Sequence, residues 1–135
     1  MRRIAAVMSF VAIAGWAASV PAAKADTKTY PVFFQPWSAA ISKTASETIA
    51  AAARAALADP SKSVIVTGAA DTVGSPLANK YMSEARAQVV SDALAADGVA
   101  VSRIKVRASG ATNAPGTVPG SYAQFSRRAL IQVSD

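Results

Sequence analysis

Gly68-Ala-Ala-Asp71-Thr-Val-Gly74, followed by Asn79 and then by Met82-Ser83-Glu84-Ala85-Arg86-Ala87, decides the fold of this 135-residue chain. Ser63-Val-Ile-Val-Thr67 before it is a short, wholly apolar-leaning run of the kind that makes a buried strand, and Gly68 closes it. Asp71 then falls on the turn after the strand. Gly74-Ser-Pro76 opens a helix, with proline at a position that needs no N–H donor. At about 100° per residue, with Leu77 at zero, Val89, Met82, Ala93 and Val90 fall between about 120° and 220° and form the apolar stripe. Arg86 falls at about 180°, inside that stripe, with Asn79 and Ser83 beside it at about 200° and 240°. Lys80, Glu84, Gln88, Ser91 and Asp92 make the water-facing side. A guanidinium aimed at the core or at a pocket rim must be paired, hydrogen-bonded or engaged by a ligand.

Working outward, Tyr30-Pro-Val-Phe-Phe34 reads as an edge strand, where Pro31 is tolerated. Ser38 is a candidate N-cap. Ile41, Ala45, Ile49, Ala52, Ala53, Ala56 and Leu57 then recur at helical spacing until Asp59-Pro60 stops the helix. The second helix is expected to end near Asp97-Gly98, with Gly98 just past its end. Val101 to Ser109 alternates. Arg103, Lys105 and Arg107 share a solvated face, and Ile104, Val106 and Ala108 share a half-buried one. Gly110 to Gly120 is a loop, and Arg128 to Val133 is a final strand with Ala129, Ile131 and Val133 on one side. The order β-α-β-α-β-loop-β predicts an α+β layer, with two helices packed on one face of a small mixed sheet. Trp37 and Tyr81 are expected to be core or partly buried packing residues.

The first residues read as an address. Met1-Arg-Arg3 is basic, Ile4 to about Val20 is apolar, and Ala23 and Ala25 stand in the arrangement that signal peptidase reads. Residues 1–25 are therefore expected to be a cleaved secretory signal peptide, with residues 26–135 as one exported domain. No other stretch is apolar enough to span a membrane. The chain carries 14 Lys and Arg against 8 Asp and Glu. Losing Arg2, Arg3 and Lys24 leaves 11 against 8, so the exported domain is only mildly basic. Its cations are scattered, apart from Arg103/Lys105/Arg107 and Arg127-Arg128, which argues against a nucleic-acid partner. The basic triplet reads most simply as a solvated strand face, and its sharper reading is a contact for an anionic polymer.

Histidine and cysteine are both absent. That removes His-based acid–base relays, thiol nucleophiles, disulfides and His/Cys zinc sites. Ser102-x-x-Lys105 has the spacing of a serine–lysine catalytic pair, yet positions three apart on an alternating strand face opposite ways. No two carboxylates read as a glycosidase pair. The chain reads as no enzyme, with no cofactor and no metal site.

These residues resemble the OmpA-like peptidoglycan-binding domain. That family follows its central strand with Gly-aromatic/His-Thr-Asp, a Gly, and Asn-x-x-Leu-Ser-x-x-Arg-Ala-x-x-Val. Here the same positions read Gly68-Ala-Ala-Asp71, Gly74 and Asn79-Lys-Tyr-Met82-Ser83-Glu-Ala-Arg86-Ala87-Gln-Val-Val90. Gly98-Val, Arg103-Ile and the closing Ser126-Arg127-Arg128 extend the match, as do Phe33-Phe34 and Ser38 with Ile41. The resemblance implies a non-catalytic domain of the periplasm, at the cell wall or outer membrane, that binds the diaminopimelate of the peptidoglycan stem peptide. By the same resemblance Asp71 takes the ammonium of that zwitterion and Arg86 its carboxylate. Asn79 and Arg127 line the site. The departures are Ala69 and Ala70, which replace an aromatic or His and a Thr beside the acid and so remove one wall and one hydroxyl. Ser126 for Asn and Leu130 for Glu weaken the match at the closing strand. The alternative is an OmpA-like interaction module that docks another envelope protein without holding peptidoglycan.

Overall fold

The structure is a computed structural model and describes residues 27–111 and 126–135. The proposed signal peptide and most of the loop that begins at Gly110 lie outside the described residues. Strand β1 spans Lys28–Phe33, helix α1 Lys43–Ala58, strand β2 Ser63–Ala70 and helix α2 Pro76–Ala96. A single 3-10 turn, Val101–Arg103, leads into strand β3, Ile104–Ala111, and strand β4 is Arg128–Ser134. The sheet order is β1-β4-β2-β3. β2 and β3 are parallel and joined by α2, whereas β4 runs antiparallel to both β1 and β2. This is the expected mixed sheet. The last strand inserts between the first two rather than lying at an edge, so β1 is paired to the rest of the sheet through β4.

The register sorts the side chains. Val32, Ala129, Ile131, Val133, Val64 and Val66 are buried and share the helix-covered face with Gly68, Ile104 and Val106. From α1, Ala45, Ile49, Ala52, Ala53 and Ala56 complete the core. The small alanines let the helix axis approach the sheet closely.

Several boundaries differ from the sequence reading. The N-cap of α1 is Ser42, whose Oγ accepts from Ala45 N at 3.1 Å. Ser38 makes a local turn instead, accepting from Ala40 N at 3.1 Å. The buried face of α2 comprises Asn79, Ser83, Arg86, Ala87, Val90, Ser91 and Leu94. It is turned by roughly 60° from the expected stripe, so that Met82, Val89 and Ala93 are half-buried and Ser91 is buried. The cause is close approach: Gly68 lies directly under the Ser83–Ala87 turn, where only small residues fit. Ser83 is kept satisfied there, donating to Lys80 O at 2.7 Å and accepting from Gly110 N at 3.0 Å. The end of α2 is as expected. Gly98 has φ +105°, Val99 N donates to Leu94 O at 3.0 Å and Gly98 N to Ala95 O at 3.0 Å.

Arg103 does not join Lys105 and Arg107 on the solvated strand face. Its guanidinium donates to the carbonyls of Ala56, Asp59 and Lys62 at 2.7–3.2 Å and so ties the end of α1 to the start of β2. Helix ends leave carbonyls without partners, and a forked cation supplies several donors at once. Arg103→Ala is therefore expected to lower stability by about 1–2 kcal/mol, read as a shift in the urea midpoint with an unchanged slope. Val106 is more exposed than expected because β3 is an edge strand that α2 covers only in part.

Candidate functional site

The site is assembled where three segments meet: the connection from β1 to α1, the turn from β2 to α2, and the start of β4. At the end of β2, Asp71 folds its carboxylate back over its own turn, and Oδ1 accepts from Val73 N at 3.2 Å. Short acidic side chains favour this turn geometry. Gly74 follows with φ +91°. Ser75 then caps α2, its Oγ accepting from Ala78 N at 3.1 Å, with Pro76 in the first turn. Asn79 reaches back from α2, and its Nδ2 donates to Val73 O at 2.9 Å. Asn79 thus fastens the Asp71 turn to the helix, and its side-chain oxygen makes no further hydrogen bond among the described residues.

Arg86 is 1% exposed. Its guanidinium is answered by main-chain oxygens: Nε donates to Ser38 O at 3.0 Å, Nη1 to Ala69 O at 3.0 Å and Nη2 to Gln35 O at 3.1 Å. Its Cζ also lies 5.3 Å from the centre of the Phe34 ring, within cation–π range. Burial pushes the group down from its ordinary value to about 10; the Asp71 charge opposes that shift and the Arg127 charge adds to it. At neutral pH Arg86 is still a cation. A guanidinium carries five N–H groups, so three bonds leave two for another partner.

The cation in contact with Asp71 is Arg127. Its Nη1 lies 3.3 Å from Asp71 Oδ2, and its Nε donates to Phe34 O at 3.1 Å. Phe34 N in turn donates to Arg127 O at 2.8 Å. Asp71 and Arg127 are 5% and 8% exposed, a nearly buried pair. A carboxylate offers roughly four acceptor positions, of which two are used here. The four residues singled out in the sequence therefore lie on the β2–α2 turn (Asp71), on α2 (Asn79 and Arg86) and at the start of β4 (Arg127), with Arg127 taking the place at Asp71 that the sequence did not assign to it. Beside them, a cleft of about 440 Å3 opens between β1 and the first two turns of α1. Its wall includes Pro31, Phe34, Gln35, Ser42, Thr48 and Arg127, but neither Asp71, Asn79 nor Arg86.

The sequence reading missed the other side of the site. Gln35 and Ser38 contribute carbonyls, and Trp37, expected as core or partly buried packing, is 47% exposed with its ring over Gly74. Tyr81, likewise expected to pack, is exposed on α2. Ser38 N donates to Gln35 O at 3.2 Å and closes a turn with Pro36 second and Trp37 third, the latter at φ +52°. A proline followed by a left-handed residue is the pattern of a type II turn. The signal available in the sequence was Gln35-Pro36-Trp37-Ser38, with proline where such turns take it.

A sequence model of the OmpA family matches residues 33–121. No curated protein sequence matches. Among solved structures, the peptidoglycan-associated lipoprotein from Burkholderia pseudomallei is similar, at 24% identity and a TM-score of 0.69, over 77% of this chain and 89% of that one. The OmpA-like domain of FopA1 from Francisella tularensis is similar at 24% identity and a TM-score of 0.71, over 82% of this chain and 73% of the other. The cell wall anchor of the type VI secretion system (T6SS) from Pseudomonas aeruginosa is similar at 24% identity and a TM-score of 0.64, over 81% and 82%.

Proposed function

The chain belongs to the OmpA family, and from that premise we propose that it is a peptidoglycan-binding domain, not an enzyme, that recognises the diaminopimelate of the stem peptide. Two of the similar structures are described as a peptidoglycan-associated lipoprotein and as a cell wall anchor, which supports the same reading. The observation that carries it is the nearly buried Asp71–Arg127 contact, with acceptor positions spare on the acid and donors spare on Arg86 and Arg127. The free end of diaminopimelate bears an ammonium and a carboxylate on one carbon. The ammonium is taken by Asp71 and the carboxylate by the guanidinium groups, whose forked geometry a lysine could not reproduce. Asn79 holds the acid's turn in place and offers its side-chain oxygen to the ammonium. One charge contact at about 4 Å is worth roughly 4 kcal/mol at an effective dielectric of 20, before desolvation is subtracted. Two such contacts support binding of micromolar class.

The domain works outside the cytoplasm, in the periplasm against the wall. Residues 1–25 serve as the export signal, with cleavage before Asp26. Among the described residues no helix is long and apolar enough to cross a membrane.

Co-sedimentation with purified sacculi of the diaminopimelate type tests the proposal, with sacculi whose stem carries lysine as the control. The wild type is expected to pellet with the first and not the second. Asp71→Asn keeps an acceptor for Val73 N but loses the charge, and its pelleted fraction should fall at least about tenfold in apparent affinity. The second reading is the docking module, and one observation favours it: Ala69 and Ala70 leave the acid without the aromatic wall and hydroxyl that the resemblance places there. It prevails if the folded wild type stays in the supernatant with both kinds of sacculi.

A further inference from the structure

We propose that Trp37 forms an aromatic subsite for the carbon chain of a zwitterionic amino-acid residue whose charged end lies at Asp71; this rests on the diaminopimelate recognition proposed above. Trp37 combines two features that packing alone does not explain. Nearly half of its surface is exposed, and its backbone is left-handed at φ +52°. A bulky residue in that region is a genuine outlier, because its β-carbon crowds the main chain where glycine or asparagine would not. Such strain persists only where the surroundings over-determine it, and it gathers at binding sites.

The surroundings are two loops of the site. Arg86 donates to Gln35 O and to Ser38 O, the residues on either side of Pro36-Trp37, so the buried guanidinium clamps both ends of the turn that presents the indole. On the far side, the indole lies over Gly74. A β-carbon there would come within 2.4 Å of Trp37 Cη2 and 2.8 Å of Cζ2. Gly74 ends the turn that Asp71 begins. The ring therefore bridges the β1–α1 turn and the acid's turn, before which Ala69 and Ala70, both buried, carry only methyl groups.

The position selects the ligand part. A zwitterion anchored at Asp71 has its methylene chain immediately behind the charged end. That chain is placed along the indole that lies over the end of the acid's turn, whereas the glycan lies beyond two further residues of the stem. An indole face offers a large rigid apolar area at little loss of side-chain freedom.

The chain has two tryptophans, Trp16 and Trp37, and Trp16 leaves with residues 1–25 on export, so Trp37 is the sole indole reporter of the exported protein. The exported protein, residues 26–135, is titrated with the tripeptide L-alanyl-γ-D-glutamyl-meso-diaminopimelate, with the same peptide ending in L-lysine, and with the first peptide bearing its disaccharide. The expected result is a saturable change in indole emission with both diaminopimelate ligands at equal affinity, and none with the lysine peptide. Trp37→Asn suits a left-handed backbone. It should hold or raise Tm yet weaken tripeptide binding about tenfold, measured by calorimetry, while Trp37→Phe keeps most of it. A lower Tm for Trp37→Asn with unchanged affinity would make Trp37 a packing residue and overturn the subsite. Wild-type binding with unaltered emission and no loss in Trp37→Asn would sink the subsite alone. An emission change confined to the disaccharide ligand would assign the ring to the glycan instead. Failure of the wild type to bind either diaminopimelate ligand would overturn the wall-binding reading, and the subsite with it.

Discussion

Arg86→Ala is expected to lower stability by about 3–5 kcal/mol, from vacating the space of a large buried side chain and removing three hydrogen bonds from a charged donor. Three main-chain oxygens, from Gln35, Ser38 and Ala69, would lose the guanidinium at once, and Gln35 O would keep Ser38 N. The space left is that of the largest fully buried side chain among the described residues, at a point where β2, α2 and the β1–α1 turn meet. Single small domains are stable by only about 5–15 kcal/mol, so the variant should be close to unfolding at 37 °C. Guanidinium-chloride unfolding of wild type, Arg86→Ala and Arg86→Lys measures this. Lysine restores the charge but not the planar fork, so at most a minority of the loss should return. An Arg86→Ala midpoint equal to that of the wild type would show that the guanidinium does not hold the fold. The consequence for function is direct. Loss of wall binding in Arg86→Ala says little by itself, because the turn presenting Trp37 is released as well. Asp71→Asn is the cleaner probe, since its isostere keeps the hydrogen bond inside the turn.

Gly68→Ala is the second large effect. A methyl group at that position would stand 1.9 Å from Ser83 O, 2.9 Å from Ser83 C and 2.9 Å from Ala87 N. All three are backbone atoms of α2, so no side chain can rotate away. The helix must move by on the order of 1 Å, and overpacking of this kind costs about 3 kcal/mol. The same shift would stretch the 3.0 Å bond from Gly110 N to Ser83 Oγ and loosen β3. For a domain of about 100 residues this corresponds to a Tm lower by roughly 10–20 °C. A thermal melt of Gly68→Ala within about 2 °C of wild type would mean that α2 does not lie this close to the sheet. The glycine that ends the strand pattern in the sequence is thus required for contact, not for a turn.

Much of the architecture was legible in the chain. Alternation in Arg128–Val133 marked which side of β4 is buried, Gly98 marked the end of α2, and Pro76 marked its start. Arg86 on an apolar face announced that something must answer its charge. What periodicity could not give was the answer. An arginine in such a place can be met by a carboxylate, a ligand or bare carbonyls. Carbonyls carry no signature in the sequence, because every residue has one. Arg103 shows the same blindness: its alternation with Lys105 and Arg107 placed it on an exposed face, yet it caps the end of α1. The 60° turn of the α2 stripe has a related origin. Hydrophobicity favoured Met82 and Val89, but the approach of backbone to backbone at Gly68 favoured small Ser83 and Ala87.

The sequence by itself determined the element order, the two helices on one face of a mixed sheet, and the meeting of Asp71, Asn79, Arg86 and Arg127 at one end of it. The element order and the layer follow from local propensity, period and fixed spacings, which act within one or two elements, whereas the meeting of the four residues was implied by the family resemblance alone. Only the tertiary structure decided that β4 inserts between β1 and β2, that Arg127 rather than Arg86 touches Asp71, and that Trp37 stands exposed and strained over Gly74. Each of these depends on atoms that lie far apart along the chain, where main-chain donors and acceptors, free of any sequence code, choose the partners.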